Sequence, residues 1–244
     1  FSDHDHFLRY INRRQNYVPV TDAPRNYEFT ALNRTHKWWR ASCMSDLYSA
    51  GLLNHSLWSY NTTCTLDESL LDNPLEINLI PGWAKSLRDF VAGGPYWCDG
   101  PDQQQHNDHR FINTQLYTNA YCHIVLETLF DVDQSGGAFV TEKTYKCIKF
   151  GQPFVIAGGP GSLAVLREAG YRTFDHAIDN SYDNIQDNTK RWLAVKNTIS
   201  QIHSQDMHSW FLKCLPDLEH NQAVFNQTSS RDLQRLADRL SYKP

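Results

Sequence analysis

The sequence predicts an α/β domain: a doubly wound parallel sheet with flanking helices and a helical C-terminal tail. Tyr27 to Tyr60 reads as strand, polar turn, helix, strand, which is one βαβ unit. Phe139 to Asp183 reads as helix, strand, Gly-rich turn, helix, strand, half of a further set of such units. Within it, Phe154-Val155-Ile156-Ala157 is a continuous apolar run closed by Gly158-Gly159-Pro160-Gly161. A run without polar alternation suits a strand covered on both faces. Ligands of such sheets sit outside the carboxyl ends of the strands.

Residues 1–26 form a polar lead with room for one short helix. Its Asp3-His4-Asp5-His6 reads as a loose polar terminus rather than a metal site. Residues 27–244 form the domain proper. Tyr27 to Leu32 is the first strand and Asn33-Arg34-Thr35 the turn after it. His36 to Ala50 is a helix, with Trp39, Cys43 and Leu47 at helical spacing and Gly51 as its stop; of Trp38 and Trp39, Trp39 is assigned to the core. Leu57 to Tyr60 is the second strand. Residues 61–118 are a loop-rich insertion, punctuated by prolines and glycines, with short helices expected over Trp83 to Phe90 and Phe111 to Tyr117. An insertion of this kind covers a site or meets an acceptor, and Asp99, Asp102, Asp108 and His109 are its acid/base candidates.

Tyr121 to Thr128 is the clearest strand, and it carries Glu127 to its carboxyl edge. The Asp131-Val132-Asp133 pair that follows reads as a solvated turn, with a metal-binding Asp-x-Asp as the alternative. A helix runs from Thr141 to Lys149 and breaks at Gln152-Pro153. After the Gly-rich turn, Ser162 is expected to cap a helix that Gly170 stops, and Tyr171 to Phe174 to form one more strand. Helices are expected over Asn188 to Gln205, Met207 to Phe225 and Asp232 to Leu240, the tail docking back across the fold.

A length of 244 residues supports a sizeable core, and the net charge of −4 shows no basic excess of the kind that marks nucleic-acid binders. Arg9, Arg13, Arg14, Arg25, Arg34, Lys37 and Arg40 are concentrated near the start; the plain reading is a solvated basic face. The six cysteines form no Cys-x-x-Cys. Cys122 and Cys147 fall in apolar segments, while Cys64 and Cys98 are able to pair in an oxidising compartment. Asn33, Asn54, Asn61 and Asn226 each open an Asn-x-Ser/Thr triplet. No apolar run is long enough to span a bilayer.

The chemistry at the strand ends suits an anion. Lys143 lies in the first turn of a helix, where the dipole disfavours a cation, so a bound anion is the natural reason for it; the alternative is a solvated pair with Glu142. Buried Glu127 needs a partner, met by a sugar or ribose hydroxyl or by Lys143. Asp179 and Tyr182 belong to a dense polar cluster, Asp179 to Asp183, which either caps local structure or reaches a sugar hydroxyl.

Val140-Thr141-Glu142-Lys143, the helix behind it and the strand after Pro153 resemble the sugar-nucleotide-binding half of the alpha-fucosyltransferase family. Ile124 to Thr128 resembles that family's apolar strand ending in Glu-Asn, with Thr128 in place of the Asn, and Phe29 to Asn33 with Arg40 and Leu47 its strand-Asn, helix-Arg, Leu pattern. The match covers about Tyr27 to Gly159; beyond it the chain looks more like virus- and phage-encoded glycosyltransferase-like proteins. The resemblance implies a GT-B-like, Rossmann-like fold with a reduced or missing partner domain, the lead being its remnant. It implies glycosyl transfer from a nucleoside diphosphate sugar to a hydroxyl of a glycan, protein or modified DNA, with inversion and without a metal or other cofactor. The donor site it implies is Lys143, Glu142, Arg40, Arg34, Glu127, Thr141, Asn33 and Gly159, with Lys143 and Arg40 on the diphosphate; Asp179 and Tyr182 join it from the polar cluster, not from the family pattern. The family's catalytic base lies in its acceptor half and has no match here. A cytoplasmic location, such as that of an infected host cell, is expected, with a lumenal or secreted one as the alternative. The competing expectations are a non-catalytic nucleotide- or glycan-binding module and a viral structural protein on the same fold.

Overall fold

A computed structural model describes residues 18–62, 83–98, 113–131 and 138–241; of residues 83, 84 and 228–241 the backbone alone is described. The elements are β1 (Tyr27–Asn33), α1 (Trp38–Ser49), β2 (Leu57–Tyr60), α2 (Trp83–Gly93), α3 (Gln115–Thr118), β3 (Ala120–Leu126), α4 (Glu142–Lys149), β4 (Phe154–Ala157), α5 (Ser162–Glu168), a 3-10 turn (Ser181–Asn184), α6 (Asn188–His203) and α7 (Met207–Ser241). The four strands are all parallel and lie in the order β2-β1-β3-β4. The chain leaves β1 for β2 on one side and places β3 on the other. Strand order therefore reverses between β1 and β3, and that switch point opens a crevice at their carboxyl ends.

Strand alternation decides which helices cover which face. Thr30 and His123 are register partners, so with Leu32 and Tyr121 they share one face. On that face Tyr117, beside α4's last residues, stacks on His123 with ring centroids 5.4 Å apart, and Tyr121 meets Phe211 of α7 at 5.7 Å. Ala31 pairs with Trp58 and Asn33 with Tyr60, on the other face. There Trp58 meets Tyr48 of α1 at 5.7 Å, and Tyr60 meets Phe90 of α2 at 5.5 Å. Full burial, as for Tyr60, Phe90 and Phe211, contributes about 1.5–3 kcal/mol per side chain, whereas Tyr48 stays exposed. Trp39 lies in this core, stacked on Phe130 at 4.9 Å.

Two arginines, Arg25 half-buried and Arg191 buried, tie the layers together. Arg25 donates to the carbonyls of Tyr117, Ala120 and Gly151 and lies over the Phe211 ring. Arg191 donates to the carbonyls of Gly158, Ile185, Gln186 and Phe130 and to Asn188 Oδ1. Burial lowers the pKa of both guanidinium groups, more than nearby acidic groups raise it.

The structure corrects three expected elements. Tyr171 to Phe174 is not a strand: Phe174 adopts φ 61°, outside the extended region, and the Asn221 carboxamide of α7 pairs both backbone groups of Arg172 in place of a strand. The two C-terminal helices are one, since Asn226 to Arg231 contains no glycine or proline to stop it. Ser162 does not cap α5; the Asp183 carboxylate accepts from Leu163 N and Ala164 N, and Ser162 Oγ donates to Gly159 O instead. The expected docking of the tail holds, with Gln222 of α7 donating to the carbonyls of Val18 and Lys149.

Cys122 and Cys147 are buried as expected, whereas Asn33 is only 2 % exposed and sealed from modification. Asp3 to His6, Cys64, Asp99, Asp102, Asp108, His109 and Asp133 lie outside the described residues. Among the described residues no helix is long and apolar enough to cross a membrane.

Candidate functional site

The crevice at the switch point is a cleft of about 350 Å³, at the small end of ordinary ligand pockets. Arg34, Thr35 and Lys37 come from the turn after β1, Arg40 from α1, Thr128 from the end of β3, and Glu142, Lys143 and Lys146 from α4. Leu32, Asn113, Leu116, Tyr117 and His123 complete the lining. Five of these thirteen residues are cations and one is a carboxylate, so the basic residues that follow β1 converge on a concave site instead of forming a solvated face. Arg25 is structural, and Arg9, Arg13 and Arg14 lie outside the described residues.

Glu127 explains how α4 is aimed at the cleft. Its side chain is 0 % exposed. Oε1 accepts from Thr141 N at 3.1 Å and Thr144 Oγ1 at 2.7 Å. Oε2 accepts from Thr141 Oγ1 at 2.5 Å and Thr128 N at 3.3 Å. The carboxylate thus takes one backbone N–H and two hydroxyl donors at the start of α4 from below, where the helix dipole favours negative charge. It staples helix to strand and has no oxygen left for a sugar. Lys143 sits above it, with Nζ donating to Thr128 Oγ1 and Thr141 Oγ1 at 3.0 Å each and lying 3.8 Å from Glu127 and 3.7 Å from Glu142. The cation that the dipole disfavours is therefore held by a buried carboxylate.

Arg40 lines the cleft but is largely committed to the backbone. Nε and Nη2 donate to Glu127 O at 3.1 and 2.6 Å, and Nη1 to Thr35 O at 3.3 Å. Lys37 Nζ donates to Thr128 O at 2.7 Å. Burial lowers the Lys37 pKa, and the neighbouring Arg40 and Lys143 charges add to this. Lys146 is pushed down to about 8 by burial, with Glu142 opposing and Arg34 and Lys143 adding. For Glu142, burial raises the pKa, but the Lys143 and Lys146 charges together with hydrogen bonds at the helix start outweigh it, so the group lies below its ordinary value. Mutually repelling cations gathered in one concavity gain stability from an anion placed among them.

The structure brings together Arg34, Arg40, Glu142 and Lys143 on the cleft wall, with Glu127 and Thr141 behind them. It places the other candidates elsewhere. Asn33 alternates with Leu32 and so turns to the opposite face, where its carboxamide has no hydrogen-bond partner. Gly159 lies at the end of β4, where the start of α5 is already covered by Asp183. Asp179 is exposed and accepts from Ser181 N at 3.0 Å, a local turn contact. Tyr182 is buried, and its hydroxyl accepts from Ile156 N on β4. Asp131 accepts from Asn188 Nδ2. Among the described residues no group of three or more His, Cys, Asp or Glu is placed to hold a metal ion.

Lys146, Tyr117 and His123 went unselected in the sequence. Lys146 is three residues from Lys143 and four from Glu142, the spacing that puts all three on one helix face. His123 was visible as the one imidazole inside an otherwise apolar strand. No family model, curated protein or solved structure matches the chain.

Proposed function

We propose that the cleft binds the diphosphate of a nucleoside diphosphate sugar and that the protein transfers the sugar to an acceptor hydroxyl. The observation that carries this reading is the convergence of Arg34, Lys37, Arg40, Lys143 and Lys146 on the switch-point crevice, where α/β sheets of this topology bind ligands. In the transfer, the acceptor oxygen bonds to the anomeric carbon as the bond to the diphosphate oxygen breaks. The acceptor proton is released, and negative charge grows on the departing diphosphate. Preorganised cations beside that oxygen stabilise the charge without reorganising. Glu142, the only carboxylate among the cleft-lining residues, accepts from ribose or sugar hydroxyls. The resemblance of Val140 to Lys143 to a sugar-nucleotide motif agrees with this assignment.

Calorimetric titration with UDP and GDP, followed by a mass-spectrometric screen of sugar nucleotides for turnover, tests the reading. Binding and turnover are expected. Lys146→Ala should weaken diphosphate binding about tenfold to a hundredfold, the equivalent of losing one charge-assisted bond. Binding without turnover of any donor would leave a nucleotide-binding module, and no binding at millimolar concentration would refute the site.

A further inference from the structure

Beneath the cations the cleft ends on a chain of hydrogen bonds whose proton positions follow from one another. Thr30 Oγ1 donates to Leu116 O at 2.7 Å, so its oxygen is free to accept. Gln152 Nε2 donates to that oxygen at 3.1 Å and to Ala120 O at 2.9 Å. A carbonyl only accepts, so the Gln152 amide has a single orientation, with Oε1 toward His123. His123 Nδ1 lies 3.1 Å from Oε1 and must therefore carry the proton. Nε2 is left as a bare lone pair on a side chain 4 % exposed that lines the cleft.

The geometry points to a cleft in two parts, in which the cations at the strand ends hold phosphate and His123 Nε2 accepts a hydrogen bond from an O–H or N–H of the nucleoside. This rests on the anion reading above. The lone pair repels phosphate oxygens, so the anionic portion of a ligand is kept to the mouth. His123 is three residues before the end of β3, which puts it about 10 Å below that mouth. Tyr117 stacks on it, and Leu32 and Leu116 add apolar lining beside the Asn113 carboxamide and the Tyr117 hydroxyl. Apolar lining with a few polar groups of fixed sense is how pockets select the uncharged part of a ligand, and the His123 acceptor is one whose sense is fixed. A buried acceptor left unmatched by an all-acceptor ligand is a penalty that a donor removes. The imidazole stays neutral across the physiological range, since burial pushes it down to about 4, with the Gln152 hydrogen bond opposing and the Lys146 charge adding.

The test compares UDP, GDP, ADP and CDP with inorganic diphosphate on the wild-type protein and on His123→Phe, which keeps an aromatic ring beside Tyr117. At least one nucleotide is expected to bind the wild type tenfold or more tighter than diphosphate, and His123→Phe should erase most of that advantage. Nitrogen-15 NMR of His123 in the wild-type protein supplies a readout that survives misfolding of the variant. It should show a protonated Nδ1 and a bare Nε2, whose resonance moves on adding the preferred nucleotide and not on adding diphosphate. An Nε2–H tautomer, or a nucleotide advantage unchanged in His123→Phe, overturns the inference. Equal binding of nucleotides and diphosphate to the wild type overturns it while leaving the anion site standing. Failure of every ligand to bind overturns both.

Discussion

Glu127→Gln separates a carboxylate that holds sugar from one that holds the fold. The substitution keeps size and shape but replaces one oxygen by an NH2 group. In either amide orientation that group meets a backbone N–H it cannot bond, Thr128 N beside Oε2 or Thr141 N beside Oε1. The weaker contact, at 3.3 Å to Thr128 N, is the one sacrificed. Thr141 Oγ1 must then turn from donor to acceptor, although it already accepts from Lys143 Nζ. The two bonds that survive on Oε1 lose their charge assistance, and Lys143 loses a carboxylate 3.8 Å away. One backbone bond at about 1 kcal/mol, plus about 1 kcal/mol for each bond that becomes neutral, gives about 3 kcal/mol. For a chain of this size that lowers Tm by about 6–12 °C. Urea and thermal denaturation of the ligand-free protein measure it. A fall in Tm of less than about 2 °C, accompanied by weakened ligand binding, would refute the staple and return Glu127 to the ligand.

Arg191→Met should destabilise the protein by about 3–5 kcal/mol in urea denaturation, because four carbonyls lose their donor inside the core, and Arg191→Lys should recover part of the loss. Asp183→Ala should cost about 1–2 kcal/mol by uncovering the start of α5, and should leave UDP affinity within about twofold because Asp183 is not part of the cleft. In the free protein Lys146 titrates at about 8, below its ordinary 10.5, and a bound anion favours its charged form. UDP binding should therefore take up a proton near pH 8 and weaken as pH rises above it, which calorimetry in buffers of differing ionisation enthalpy will show; proton release or a flat profile would contradict the cationic cluster.

Much of the fold was legible in the order of residues. Leu57 to Tyr60 and Phe154 to Ala157 are strands at their expected bounds, because short apolar runs closed by turn residues leave the backbone few alternatives. The α4 helix begins one residue after the Thr141 that the sequence placed at its start. Local signals misled where a distant partner decided the outcome. Tyr171 to Phe174 has strand composition, but Asn221 of α7 takes its hydrogen bonds; Ser162 has cap chemistry, but Asp183 fills the position from twenty residues away.

The sequence by itself determined the α/β class, the carboxyl end of β3 as the place of Glu127, and Lys143 and Glu142 as neighbours at the start of a helix. These follow from periodicity and adjacency, which are properties of the chain alone. Tertiary structure alone decided the roles. It showed that Glu127 is consumed in holding α4, that Arg40 spends most of its fork on carbonyls, and that Asn33 turns from the cleft. It also brought Lys37, Lys146 and His123 together, from segments up to 109 residues apart in number. Whether a polar group is free for a ligand depends on which groups surround it in space, and strand order and register settle that only when the sheet is assembled.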